Sequence, residues 1–395
     1  MLVIVAPGQG AQTPGFLGPW LEDPTFAARF DWLATVAGLD LAHYGTEADA
    51  ETIRDTRIAQ PLLVATGLVA ALELFPHPAD AFSQIGAVAG HSVGEIAAAA
   101  GARVITAEQA MVLVRERGRA MADAAAVTPT GMTAVLGGDR AEVLGALDRH
   151  GLTPANDNGP GQIVAAGTTE QLAALAADPP TKARLMPLSV AGAFHTHHME
   201  PAVGHLAALA RSVSTHDPRT RVISNRDGQV VHDGRDVLAR LVGQIASPVR
   251  WDLCLETMED LGVTGILEMP PAGTLTGIAR RALKGVETFA LKTPDQLDDA
   301  RAFCAKHGES SEMETAPTWR MVVSPGKGTF HVAGAARDGD LLAPGTVIGE
   351  VASSRDRTGV TAPHGGQVVE WLVEDGDLVS PGQPLLRLHP QGAAS

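Results

Sequence analysis

The sequence predicts an α/β protein with a parallel sheet, interrupted by a small inserted α+β subdomain and followed by a separate all-β module. Three observations lead there. A short apolar run, Gly86-Ala-Val-Ala89, passes through Gly90-His-Ser-Val-Gly94 into the alanine-rich Glu95-Ile-Ala-Ala-Ala-Ala100, the strand, tight turn and helix of a nucleophile elbow. Between about 127 and 190 the helix-rich pattern gives way to short β-rich runs alternating with helices. From 319 onward the chain is β-rich and repeats itself.

Residues 2–6 read as a buried strand ending in the glycine loop Pro7-Gly-Gln-Gly-Ala-Gln12. Helical patterns follow at 25–38, 59–75, 94–101 and 107–125. Strand-like runs at 132–136 and 162–166 flank a helical stretch at 140–150, and a helix at 168–177 precedes a strand at 183–188. This is the pattern of an α+β subdomain set into a larger α/β body. The body resumes with a helix at 198–213, a strand at 221–224, a helix at 235–245 and a strand at 263–268, and a helix at 274–284 closes it. Residues 306–318 are polar, acidic and free of aromatics, which predicts a linker between a first domain at 1–305 and a second at 319–389. In that second domain Ser324-Pro-Gly-Lys-Gly328 and Gly339-Asp-Leu-Leu-Ala-Pro-Gly345 recur as Ala362-Pro-His-Gly-Gly366 and Gly376-Asp-Leu-Val-Ser-Pro-Gly382. Two matched β-rich halves predict a small pseudo-symmetric sandwich.

With 395 residues, 45% of them hydrophobic and 19% charged, the chain has enough material for two or three well-packed domains. A net charge of −15 excludes nonspecific binding to nucleic acid or to anionic membranes. No stretch approaches the roughly 18 uncharged apolar residues of a membrane span. The apolar N-terminus lacks a basic leader and reads as a buried strand rather than a signal peptide. The two cysteines, Cys254 and Cys304, supply neither a disulfide framework nor a thiolate zinc site, and point to a reducing cytoplasm.

The elbow presents Ser92 at the end of a strand and at a helix N-terminus, where free N–H groups favour developing negative charge. A serine nucleophile needs a base, and Ala193-Phe-His-Thr-His-His-Met199 offers His195, His197 and His198. The same residues also fit a set of surface or capping histidines. A metal cluster has only these histidines to draw on, with no carboxylate or cysteine at ligand spacing. In Val114-Arg-Glu-Arg-Gly-Arg119, spacing alone favours three solvated arginines paired with Glu116, or one inward arginine with two solvated neighbours.

Taken together, these pieces resemble the malonyl-CoA:acyl carrier protein transacylases and the acyltransferase domains of polyketide synthases. The matching stretches are Pro7-Gly-Gln-Gly-Ala-Gln12, Gly90-His-Ser-Val-Gly-Glu95, Arg117-Gly118, Asn156-Asp-Asn-Gly-Pro-Gly-Gln162, Phe194-His195, Gln244-Ile-Ala-Ser-Pro-Val-Arg-Trp251 and Glu268-Met-Pro-Pro-Ala-Gly273, in order over residues 1 to about 295. The resemblance implies a hydrolase-like acyltransferase core with a ferredoxin-like insert at about 127–190. It implies that Ser92 attacks a malonyl thioester, with His195 as base, oriented by a main-chain carbonyl near Gln244 instead of by an aspartate. Backbone N–H groups of Gln9 and Val93 would form the oxyanion hole, and Arg117 would bind the malonyl carboxylate through its two-pronged guanidinium. Gln244 and Asn158 fall in the substrate-binding set. Phe194, directly before the histidine, and Val93 match malonyl-selective members, since a bulky Phe crowds an α-methyl branch. Gly192 departs from the polyketide motif, which usually has His there.

The implied partners are malonyl-CoA and a holo-acyl carrier protein, in fatty acid or polyketide synthesis, with a monomeric enzyme and no metal. The carrier is acidic, so it needs a local basic patch; Arg280, Arg281 and Lys284 offer one and Lys182 with Arg184 another, though both equally fit solvated faces. Residues 319–389 resemble a biotinyl/lipoyl domain, a flattened all-β barrel. At the hairpin Val351–Gly359 Arg355 takes the place of the acylated lysine, and Lys327 is the module's only lysine, so no biotin or lipoyl group is expected. Two other functions fit some of these features. An acyl-thioester hydrolase would use the same Ser92 and His195, and a non-catalytic interaction protein would be led by the C-terminal module.

Overall fold

Leu2–Ala6 (β1) is apolar throughout, as a strand covered by helices on both faces must be. In the computed structural model, which describes residues 1–190, 192–308, 320–334, 336–337, 339–353, 356–363 and 365–389, the strand lies in the middle of a six-stranded sheet. Arg355 and residues 309–319 of the expected linker lie outside the described residues. The chain divides into two compact units, Met1–Ser311 and Glu312–Ser395.

In the first unit the strands after β1 are β2 (Ile85–Gly90), β3 (Thr130–Gly137), β4 (Thr153–Asp157), β5 (Gln162–Thr168), β6 (Ala183–Pro187), β7 (Arg221–Ile223), β8 (Val230–Val231), β9 (Val249–Arg250), β10 (Gly265–Glu268) and β11 (Glu287–Ala290). The main sheet has the order β11-β10-β1-β2-β7-β8, parallel except for β8. Its two faces are covered by separate apolar clusters, one holding Leu2, Val88, Ile96 and Val114, the other Val3, Val5, Ile266 and Trp251. In such a sheet ligands meet the carboxyl ends of the strands. There β1 runs into the loop Pro7–Gln12 and β2 into the elbow.

The insert reads β3, helix Arg140–Arg149, β4, β5, helix Thr169–Ala177 and β6, and pairs in the order β6-β3-β5-β4. This is a split βαββαβ unit with its own small core of Val135, Val143, Leu147 and Ile163. The body lends it a fifth strand, because β9 joins β4 in parallel.

Several boundaries differ from the sequence reading. The helix expected at 274–284 does not close the body: Thr274–Ala282 is followed by β11, which extends the main sheet, and by helix Leu297–His307. Lys306 and His307, expected in the linker, form the last turn of that helix. The run expected as one helix at 198–213 is a short 3-10 turn, His197–Met199, leading into helix Glu200–Ala210. Helix Thr56–Leu74 is long and apolar enough to cross a membrane, contrary to the expectation that no stretch approached this, yet 67% of the apolar window is buried inside the fold. It is a core helix, packed on helices Pro24–Ala37 and Ala107–Ala125.

The second unit has strands β12 (Arg320–Val323), β13 (Gly328–Val332), β14 (Leu341–Leu342), β15 (Thr346–Ala352), β16 (Arg357–Ala362), β17 (Gly366–Trp371), β18 (Leu378–Val379) and β19 (Pro384–His389). They form two four-stranded sheets, β12-β19-β17-β14 and β16-β15-β13-β18. The sequence repeat equates β12 with β16, β13 with β17, β14 with β18 and β15 with β19, and under that exchange each sheet becomes the other. The turn glycines obey it too: φ is 92° at Gly339 and 95° at Gly376, 82° at Gly345 and 79° at Gly382. The core between the sheets is Phe330, Ile348, Val351, Leu385, Leu386 and Leu388.

Candidate active site

Two close approaches shape the elbow. A Cβ on Gly90 would lie 1.9 Å from the Gly94 carbonyl carbon, and one on Gly94 2.2 Å from the Ala6 carbonyl oxygen, so a side chain at either position would force strand and helix apart. Between them Ser92 has a φ of 52°, in the left-handed region that a non-glycine residue occupies at a cost of about 1–3 kcal/mol. Asn225 holds it there. Its Oδ1 accepts the Ser92 backbone N–H at 2.8 Å, and its Nδ2 donates to Gly90 O at 2.8 Å. His195 is left-handed as well, with φ 62°, and its N–H donates to Ile245 O at 3.0 Å.

The two side chains meet, with Ser92 Oγ 2.8 Å from His195 Nε2. His195 Nδ1 lies 2.9 Å from the main-chain oxygen of Gln244. A carbonyl can only accept, so Nδ1 carries the proton and Nε2 is free to accept from the serine hydroxyl. Burial, reinforced by the charge of Arg117, presses the His195 pKa down to about 3. The imidazole is therefore neutral at ordinary pH. His197 is exposed and His198 half-buried, and neither is bonded to Ser92.

Arg117 comes from the middle of helix Ala107–Ala125 and is 1% exposed. Its Nη1 donates to Gln60 Oε1 at 2.7 Å and its Nη2 to Gln244 Oε1 at 2.7 Å, with Ser92 Oγ 3.3 Å away. Burial lowers its pKa to about 10, which leaves it charged at neutral pH. Neither neighbour enters the site: Arg119 is exposed and Arg115 half-buried, and both bond Glu116. The glycine after Arg117 has a packing reason: a Cβ on Gly118 would lie 2.7 Å from Thr56 O, on the helix that Ala107–Ala125 crosses.

The side chain of Gln9 donates to Arg54 O at 3.1 Å and to Thr56 Oγ1 at 3.2 Å, clamping the glycine loop to the body. Val93 is the N-cap of helix Gly94–Gly101. Asn158 does not join the dyad; its Oδ1 is 2.8 Å from His91 Nε2, tying the insert to the elbow. Phe194 is buried. A Cβ on Gly192 would lie 2.6 Å from Ala125 Cβ and 3.1 Å from the Phe194 ring, so Ala125 and Phe194 fill the room a larger residue would need. Lys182 and Arg184 are exposed on the insert, as are Arg280, Arg281 and Lys284 on and beside helix Thr274–Ala282. Arg280 bonds Thr288 and Arg281 bonds Gln162. Among the described residues no group of three or more His, Cys, Asp or Glu side chains is placed to hold a metal. A cavity of about 530 Å³ lies between the insert and helix Trp251–Asp260, and none of Ser92, His195 and Arg117 lines it.

Residues 3–313 match the acyl transferase domain family. The chain is 51% identical over 299 residues to the malonyl CoA-acyl carrier protein transacylase of Mycobacterium tuberculosis H37Rv, an alignment that covers 76% of this chain and 99% of that protein. The enzyme of the same name from Escherichia coli K12 is 31% identical over 300 residues, covering 74% of this chain and 96% of that one. The chain belongs to the malonyl-CoA–acyl carrier protein transacylase family. Among solved members of this family, the crystal structure of the Mycobacterium tuberculosis enzyme aligns with a TM-score of 0.74 over 76% of this chain and 99% of that one, at 51% identity. A malonyl-transacylase solved in complex with its type II polyketide acyl-carrier protein aligns at 0.70 and 28% identity, over 76% of this chain and 99% of that one.

Family motifs pointed to Ser92, His195, Arg117 and Gln244, but not to the residues that hold them. Asn225 and Gln60 were missed, as was Glu95 as anything beyond a motif letter. Glu95 is 4% exposed; its Oε1 accepts the Asn225 backbone N–H at 2.7 Å and its Oε2 accepts from the Gln244 amide. Burial raises its pKa to about 7, against the lowering effect of those bonds and of the Arg117 and Arg240 charges. A polar side chain inside an otherwise apolar helical start, Glu95-Ile-Ala-Ala-Ala-Ala100, was the one sequence signal available.

Proposed function

We propose that this chain transfers a malonyl group from malonyl-CoA to the phosphopantetheine thiol of an acyl carrier protein, by way of a Ser92 ester. The observation that carries the reading is a buried, charged Arg117 with Nη2 3.3 Å from the hydroxyl of a Ser–His pair. A guanidinium kept dry beside a nucleophile suits an acyl group that ends in a carboxylate.

In the first half-reaction His195 Nε2 takes the Ser92 proton as Oγ attacks the thioester carbon. The tetrahedral oxyanion lies against the Gln9 and Val93 N–H groups, the latter at a helix N-terminus. Collapse breaks the carbon–sulfur bond, and coenzyme A leaves with the proton from His195. In the second half-reaction the carrier thiol gives its proton to His195 and attacks the ester, and Ser92 Oγ recovers the proton on leaving. Phe194, backed by Ala125 across Gly192, narrows the site against an α-methyl branch. One methyl discriminates by about 1–3 kcal/mol. The carrier docks through Arg280, Arg281 and Lys284 or through Lys182 and Arg184.

Intact mass after brief mixing with malonyl-CoA, then with holo-carrier protein, tests the reading. A malonyl adduct that persists and then moves to the carrier is expected. An adduct lost as free malonate before carrier is added would replace the transferase with a hydrolase. The second unit is read as a biotinyl/lipoyl-like domain that carries no such group, with Arg355 in the lysine position. The same mass spectrum tests this, since an added biotinyl or lipoyl unit would refute it. Both cysteines are buried and unpaired, which supports a reducing compartment.

A further inference from the structure

Gln244 holds the dyad and the guanidinium at once. Its main-chain oxygen meets His195 Nδ1 and its side-chain oxygen accepts from Arg117 Nη2 at 2.7 Å. Its amide nitrogen has two acceptors, Ser92 O at 2.9 Å and Glu95 Oε2. Only one orientation of the amide satisfies all of these. Reversed, its NH₂ would face a guanidinium that can only donate, and its oxygen would face a carbonyl and a carboxylate that only accept. The Ser92 carbonyl is a weak determinant of that choice. A carboxylate is a stronger one, since hydrogen bonds to charged groups are roughly twice as strong as neutral ones. Glu95 is itself anchored through Oε1 to the Asn225 N–H.

We propose that Glu95 is a positioning residue: its carboxylate locks the Gln244 amide so that the amide oxygen fixes the Arg117 guanidinium, and selectivity for a carboxylated acyl group depends on it although it never meets the substrate. The inference rests on the malonyl-transfer reading above. The charged and titratable groups that face Glu95 are Arg117, Arg240 from helix Gly234–Gly243 and Cys254 from helix Trp251–Asp260. Neither Arg240 nor Cys254 bonds the Gln244 amide: Arg240 is paired with Asp227 and Asp236, and the Cys254 thiol donates to Ser224 O. Arg117 meets only the amide oxygen, so among the described residues Glu95 is the one ionisable group bonded to the amide nitrogen.

The test is the ratio of kcat/KM for malonyl-CoA to that for acetyl-CoA, measured on the full chain at about pH 8, above the raised Glu95 value of about 7, so that the carboxylate form prevails. In the Glu95→Gln variant one amide cannot accept from both Asn225 and Gln244, and the ratio is expected to fall about tenfold. Gln244→Met removes the amide and leaves Glu95 in place; it is expected to lower the ratio by a similar factor. The double variant should fall no further than the worse single one, because both changes break one chain of contacts. Equal loss on both donors in Glu95→Gln would reduce Glu95 to a prop of the elbow and overturn the proposal. Ratio losses that multiply in the double variant would overturn it as well. Should Glu95→Gln fail to fold, Glu95→Asp keeps the charge and withdraws it from Gln244; an unchanged ratio there refutes the lock. Absence of malonyl transfer in the unmodified protein would refute the underlying function instead, so the two failures are separable.

Discussion

Replacing Asn225 by alanine should damage stability and chemistry together. The side chain is fully buried and makes two bonds of 2.8 Å, accepting from Ser92 N–H and donating to Gly90 O. Alanine leaves both backbone groups without that partner, Gly90 O in a buried position and Ser92 N–H in a half-buried one. Each such orphan costs about 1–3 kcal/mol. Ser92 would recover part of this by leaving its left-handed backbone, strain of about 1–3 kcal/mol. The net loss is thus about 2–4 kcal/mol. The same relaxation carries Oγ away from His195 Nε2, and a displacement of about 1 Å at a reacting group costs on the order of a hundredfold in rate. Urea unfolding of the full chain and the burst of malonyl adduct measure the two effects. Asn225→Asp separates bonding from packing. It keeps the shape and the acceptor for Ser92, but turns its second oxygen on Gly90 O and adds a charge beside Glu95. It should be at least as unstable as the alanine variant at neutral pH. A loss under about 0.5 kcal/mol with full adduct formation, or an Asp variant that matches the unmodified protein, would refute the reasoning.

Arg117→Ala should weaken malonyl transfer while sparing or improving acetyl transfer; equal loss on both donors, in steady-state rates, would remove the guanidinium from its assigned role. Gly118→Ala places a Cβ 2.7 Å from Thr56 O, and should cost about 1–3 kcal/mol in urea unfolding while raising the malonyl-CoA KM, because the helix that carries Arg117 must move. Burial raises the Glu95 carboxyl to about 7 in the folded protein, from an ordinary 4.5. A raised folded value gives stability that is complete below about 4.5 and lost as pH climbs through 7, worth up to about 3 kcal/mol. Glu95→Gln should therefore flatten the fall in stability between pH 5 and 8, and an unchanged slope would contradict the assignment. Ending the chain after Ser311 should leave a folded enzyme that still accepts malonyl, judged by melting and by adduct mass.

What the sequence made legible was local. Ser92 stood out because the elbow is written in five consecutive residues, and the repeat in the second unit because its turns need glycines at fixed offsets. Arg117 could not be told from Arg115 and Arg119 by helical spacing alone, since all three fit a solvated face; the family motif settled that. Asn225 and Gln60 act across 133 and 57 residues of chain, on Ser92 and on Arg117. Side chains of ordinary polarity in ordinary surroundings carry no local mark of such bonds. The last strand and helix of the body were missed for a different reason. The half-buried Leu297 and the buried Ala300 and Cys304 do trace an inward helical stripe, but it is short, and Asp298 and Asp299 interrupt it.

The exchange symmetry of the second unit has a consequence for how it came to be one piece. Each half supplies the two inner strands of one sheet and the two outer strands of the other, so β12 has only β19 to pair with, and β16 only β15. A half on its own has no partner for its edges and no lid for Phe330 or Leu385; it could bury them only against a second copy. Joining the copies turns that encounter into an intramolecular one, at the millimolar effective concentration a short tether provides. A pairing that would otherwise be diluted away thereby becomes independent of how much protein the cell makes.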